Sequence, residues 1–210
     1  IETTQSVLNA KGEAAVRGLV DALAGRCTGA HFGTYDYTAS CDITAAHQHM
    51  LHPACDFAKQ MMQVSFAGTG IWLSDGATNI MPVAPHRFVE GSAALTQEQI
   101  EENREVVHRA WKLHYDDVQH SLVSGIYQGW DLHPAQLPTR YAAVYAFFLE
   151  GAEAAASRLR TFVDRAAQAS LTGAVFDDAA TGQGLLNYFL RAIAAGALTE
   201  EEATARAGLT

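Results

Sequence analysis

Glu2 and Asp36 are the carboxylates whose spacing could do chemistry. The stretch between them has room for one helix and two turns, so both can end neighbouring strands. Two carboxylates on one rim offer hard oxygen donors at short range. That suits Mg²⁺ (or Mn²⁺), which takes few protein ligands and keeps positions open for substrate oxygens. On spacing alone, two unrelated surface acids are the competing account. His133, before Pro134 at an expected strand end, is a candidate general base. Asp75-Gly76 ends another expected strand but equally reads as a plain turn. His47, His49 and His52 form a histidine tract whose spacing fits no common zinc signature; it reads as a loop at a pocket mouth. Cys27, Cys41 and Cys55 lack a Cys–His catalytic pattern and read as small buried residues.

These residues need elements to hold them. Apolar spacing predicts helices over 5–24 and 53–67, the second with Pro53 in its first turn. Thr96 caps a long helix running to about 121, and an Ala-rich helix covers 138–169. Short β-prone runs at 30–37, 71–76 and 124–131 read as strands, and 81–94 as a loop. Tyr141, Tyr145, Phe147 and Phe148 read as helix-packing residues. A C-terminal piece holds a helix near 181–195 and a last helical turn opened by Thr199. Strands alternating with long helices predict an α/β fold on a parallel sheet. Acids at strand ends fit a (β/α)8 TIM barrel with its chemistry on the C-terminal rim. The chain would cover about the second half of that barrel over 1–170, with 171–210 as a small helical segment. Because it opens on Ile1 inside an element, it reads as the later part of a longer or processed protein, needing further strands from elsewhere.

Composition narrows the classes. The 210 residues are 49% apolar and 18% charged, enough for a core and too apolar for a disordered tail. A net charge of −9 argues against a nucleic-acid partner and against an anionic membrane surface. No apolar run reaches the ~18–20 residues of a membrane span, and no signal peptide is expected. Three cysteines make no disulfide framework, so a reducing cytoplasm is expected.

Ile1-Glu2-Thr3, followed by a helix-like stretch, resembles a strand end of the citrate lyase β-subunit, malyl-CoA lyase and HpcH/HpaI aldolase family. Gly33-Thr34-Tyr35-Asp36-Tyr37-Thr38-Ala39 is similar to that family's glycine-x-x-Asp segment. Gly129-Trp130-Asp131-Leu132-His133-Pro134-Ala135-Gln136 resembles its last-strand segment, with Trp130 where lysine is usual. The resemblance implies a phosphoenolpyruvate/pyruvate-type barrel. It implies a divalent ion between Glu2 and Asp36 that chelates a 2-oxo acid and stabilises an enolate. It implies a carbon–carbon lyase or aldolase acting on an oxo acid or a CoA thioester, in a homo-oligomer. A lid acid maps loosely onto Asp177 or Asp178; a helix-entry acid pair is the competing account. Two other readings stand beside it. One is a phosphoenolpyruvate-handling enzyme, for which basic phosphate-binding residues are not evident. The other is a non-catalytic binding subunit.

Overall fold

The computed structural model describes residues 1–91, 93–172 and 179–208. The chain forms two compact units, Ile1–Arg140 and Tyr141–Thr210.

In the first unit, α1 (Thr4–Val7) and α2 (Val16–Ala22) stand where one helix was expected. Asn9 causes the break. Its side-chain oxygen accepts from the backbone N–H of Lys11 (2.9 Å) and Glu13 (3.0 Å), offering the backbone a turn instead of a helix. Gly12, at φ +77, completes that turn. Then come β1 (Gly29–His31), α3 (Thr34–Ser40), α4 (Pro53–Phe66), β2 (Trp72–Ser74) and α5 (Gln97–Val123). Thr96 caps α5 with a reciprocal Thr96–Gln99 pair, as its sequence predicts. A short 3-10 turn (Pro134–Gln136) leads into α6 (Leu137–Thr172).

The two strands pair in parallel, with His31 opposite Ser74. Ile1 adds an extended residue beside β1, through Ile1 N to His31 O (2.7 Å) and Gly33 N to Ile1 O (2.8 Å). Gln128 bridges to Ser74 on the far side, also in parallel. One face of this small sheet packs on the helices. Phe32, Tyr37, Cys55, Ala58, Met62 and Phe66 form the core there, with Ala30, Ile71 and Leu73 against them.

The (β/α)8 barrel expectation is corrected. The described residues are mostly helical, and the two strands are three residues each. The physical reasons lie at the strand ends. Gly33 caps α3, so Thr34 to Asp36 are already helical and no strand reaches Asp36. Asp75 folds its own carboxylate back on Gly76 N (2.7 Å), which turns the chain right after β2. In the expected third strand, only Gln128 makes a bridge among the described residues.

In the second unit, the part of α6 from Tyr141 onward packs on α7 (Ala179–Ala194), and α8 (Glu200–Ala207) follows. Tyr188 donates to Phe148 O (2.5 Å). Thr199 and Glu202 form the capping box of α8. Phe148 is buried as expected, whereas Tyr141 is exposed. Asp177 and Asp178 lie outside the described residues. Among the described residues, no helix is long and apolar enough to cross a membrane.

Gly76 makes the tightest approach. A Cβ there would sit 2.0 Å from Thr34 Oγ1 and 2.9 Å from Met50 Sδ. Gly76→Ala is expected to cost ~1–3 kcal/mol in denaturant unfolding, and adding Thr34→Ala should recover part of it. Additive losses in the double variant would mean that the two sites do not press on each other.

Candidate functional site

Side chains alternate across a strand. With Ile1, Ala30, Phe32 and Leu73 turned to the helices, the pairing turns Glu2, His31, Trp72 and Ser74 to the other face. Trp130 joins them: its ring meets that of His31 edge-on, with centroids 4.9 Å apart. His31 Nδ1 lies 3.0 Å from Ser74 Oγ. Burial is the main reason the His31 imidazole sits below its usual range. The Asp75 and Glu2 carboxylates pull it back up.

Glu2 stands at the edge of this face. Glu2 lies directly on Gly33, its Cγ only 2.4 Å from where a Cβ would be. Gly33 caps α3, and Asp36 stands in that helix's first turn. Glu2 and Asp36 are both exposed. The structure thus brings Glu2 to within one helical turn, along the chain, of Asp36. Any residue larger than glycine at 33 would push Glu2 away.

Behind this face, buried polar residues hold the loops. Asp75 Oδ2 accepts from Lys59 Nζ (3.1 Å) and Ser121 Oγ (2.6 Å), with both donors buried. Lys59 also pairs with Asp56 at 3.3 Å. Thr78 Oγ1 donates to Asp117 (2.6 Å), and Gln136 Nε2 donates to Thr78 O (3.0 Å). Gln136 Oε1 accepts from the N–H of Leu132 and His133, pinning that turn. Tyr35 donates to Ala77 O (2.9 Å) and accepts from Asn79 N (3.1 Å); burial pushes its phenol up to about 12. Asp131 takes a two-pronged hydrogen bond from Arg140 and another from His114 Nε2 (2.8 Å). Arg140 lies flat on Gly129, where a Cβ would meet its guanidinium at 2.6 Å.

The sequence-based candidates fall in different places. His133 caps the 3-10 turn, its Nδ1 accepting from Ala135 N (3.1 Å). His52 caps α4 in the same manner. Among the described residues, no three His, Cys, Asp or Glu side chains converge on one ion, so the histidine tract builds no such centre. The three cysteines are unpaired thiols; Cys55 is buried, and Cys27 and Cys41 are half-buried. Sequence reasoning passed over Lys59, His114, Asp117 and Ser121. Their signal was present: each is a polar residue on the buried stripe of α4 or α5. A charge on an apolar stripe implies a buried partner.

The whole chain, residues 1–210, matches the family model of a domain of unknown function, DUF6986, and the chain belongs to that family. No curated protein and no solved structure matches it.

Asp131 and Asp117 should behave oppositely. Burial pushes Asp131 up, but the hydrogen bonds from His114 and Arg140 outweigh it and hold the carboxyl far below the usual range. That stabilisation is present above the unfolded value of ~4 and is lost as pH falls toward the folded value. Burial drives Asp117 up despite the Thr78 hydrogen bond. Its contribution is present below ~4 and fades as pH rises through its folded value. At pH 7, Asp131→Asn is expected to cost ~2–4 kcal/mol, narrowing in acid. Asp117→Asn should cost less than ~1 kcal/mol. Chemical denaturation across pH checks both.

Proposed function

We propose that the chain is a divalent-metal-dependent carbon–carbon lyase or aldolase acting on a 2-oxo acid or a related acyl-CoA substrate. The observation that carries this reading is Glu2 lying on Gly33, three residues before Asp36 along the chain, with both carboxylates exposed. The donor set fits Mg²⁺ or Mn²⁺: two anionic oxygen ligands, with room left for substrate oxygens. When bound, such an ion would supply Lewis acidity to the carbonyl and carboxylate oxygens of an oxo acid. The resemblance of 1–3, 33–39 and 129–136 to the citrate lyase and aldolase family supports the same chemistry.

The chain's own residues divide the remaining work. Gly33 gives Glu2 its place, and α3 presents Asp36 from its first turn, where the helix dipole favours a negative charge. Trp130 is 56% exposed and offers a flat apolar wall beside His31. Lys59, Asp75 and Ser121 keep the loop after β2 from shifting.

A panel of hydroxy-2-oxo acids and their CoA thioester counterparts, assayed with Mg²⁺ for carbonyl products, tests the reading. Turnover of at least one member is expected. Asp36→Asn should lower it ~100-fold or more with the metal-free melting temperature unchanged. Gly33→Ala should raise the Mg²⁺ concentration needed for half-activity ~10-fold by displacing Glu2. No turnover with any member, or an Asp36→Asn protein that melts well below wild type without metal, would overturn it.

A further inference from the structure

Of the polar residues on the open face, His31 is the one arranged to accept a proton. The Ser74 hydroxyl carries a single hydrogen, which it donates to Asp75 O (3.3 Å). With that hydrogen turned to Asp75 O, Ser74 Oγ is an acceptor for His31 Nδ1–H, 3.0 Å away. In that arrangement the lone pair of the ring is on Nε2. The Trp130 edge, 4.9 Å away, helps fix the ring plane. Nε2 itself has no hydrogen-bond partner among the described residues. Nor is it walled in: His114 Nδ1 is the buried unpartnered side-chain nitrogen found among them. His31 shares its face with Glu2, which the pairing of Ile1 beside β1 places across from Gly33. It is not a third ligand to the carboxylate pair, because no three such side chains among the described residues meet on one ion. His133, by contrast, uses its Nδ1 to cap a turn.

We propose that His31 Nε2 moves the proton on and off the carbon beside the oxo group of the substrate. The inference rests on the oxo-acid reading above and names the group that handles the proton. In one direction the C–H bond breaks, the N–H bond forms on Nε2, and the freed electron pair spreads on to the oxo oxygen as an enolate. In the other, the N–H bond breaks and the C–H bond re-forms. No further reactant is consumed. In the cleavage direction Nε2 first takes the O–H proton of the hydroxyl beside the breaking C–C bond, as that oxygen becomes a carbonyl and the electron pair of the C–C bond passes into the enolate; the N–H so formed then protonates the carbon that has lost its partner. Ser74 is a positioning residue: it holds the tautomer and does not touch the substrate.

Two measurements test this. The first is ¹⁵N NMR of the imidazole in the metal-free protein. His31 is expected to show the Nδ1–H tautomer in wild type and to lose that preference in Ser74→Ala; an Nε2–H tautomer in wild type overturns the proposal. The second is deuterium exchange at the methyl group of pyruvate in D₂O with Mg²⁺, read by proton NMR. Wild type should exchange, and His31→Gln should be ~100-fold slower or more, with Mg²⁺ affinity unchanged by calorimetry and with partial rescue by added imidazole. A His31→Gln protein exchanging within ~3-fold of wild type overturns the role of His31 alone. A wild-type protein that neither binds Mg²⁺ nor exchanges overturns the oxo-acid reading and this inference with it. Should His31→Gln not fold, Ser74→Ala decides: exchange ~10-fold slower supports the proposal, and an unchanged rate overturns it.

Discussion

Asp75 is the point on which the first unit turns. Its buried carboxylate joins the end of β2 to Lys59 on α4, to Ser121 on α5 and to the backbone of Gly76. A buried charge is tolerated only when it is paired and hydrogen-bonded. Removing Asp75 would leave the Lys59 ammonium, which is 2% exposed, with Asp56 as its remaining carboxylate partner and would take the acceptor from Ser121, at a cost of up to ~3–5 kcal/mol. The geometry propagates outward from this junction. The loop after Asp75 carries Ala77, Thr78 and Asn79 to Tyr35, Asp117 and Gln136, and Gln136 in turn pins Leu132 and His133. Ser74, one residue before the junction, presents its hydroxyl to His31.

The small sheet separates two jobs. One face supplies apolar contacts to the helices and anchors the strands. The other holds Glu2, His31, Ser74 and Trp130, residues with little to gain from burial and much to offer a polar ligand. The polar groups behind the strand ends, hydrogen-bonded except at His114 Nδ1, act as a scaffold rather than as reactive groups. Asp131, held ionised by Arg140 and His114, belongs to that scaffold. The reactive candidates are the less constrained ones: two exposed carboxylates and an imidazole with one committed nitrogen.

The helices were largely legible in the sequence. Pro53, Thr96 and Thr199 mark their starts in the expected places, because caps act through local hydrogen bonds. The expected strands were legible in position and not in length. Runs such as 30–37 carry β-prone aromatics, but Gly33 and the polar turn residues stop the ladder after three residues. The alternation that suggested a barrel was a statement about order, and order does not set how far a strand extends. Glu2 and Asp36 could be singled out as candidates from the sequence, because their types and spacing are local facts. His31 was not, because its tautomer depends on Ser74, 43 residues away. The Lys59–Asp75–Ser121 junction spans three elements in the same way, and only the misplaced polarity on two helix stripes hinted at it.

The proposed chemistry requires Glu2 and Asp36 to share one divalent ion. Electron paramagnetic resonance of Mn²⁺ titrated into the protein tests it most directly, because free and bound Mn²⁺ give distinct signals and the ion stands in for Mg²⁺. One bound ion per chain is expected for wild type, weakened ~10-fold or more in both Glu2→Gln and Asp36→Asn and restored to the free signal by excess Mg²⁺. Binding that survives either substitution at wild-type strength, or no bound Mn²⁺ in wild type at all, would contradict the account.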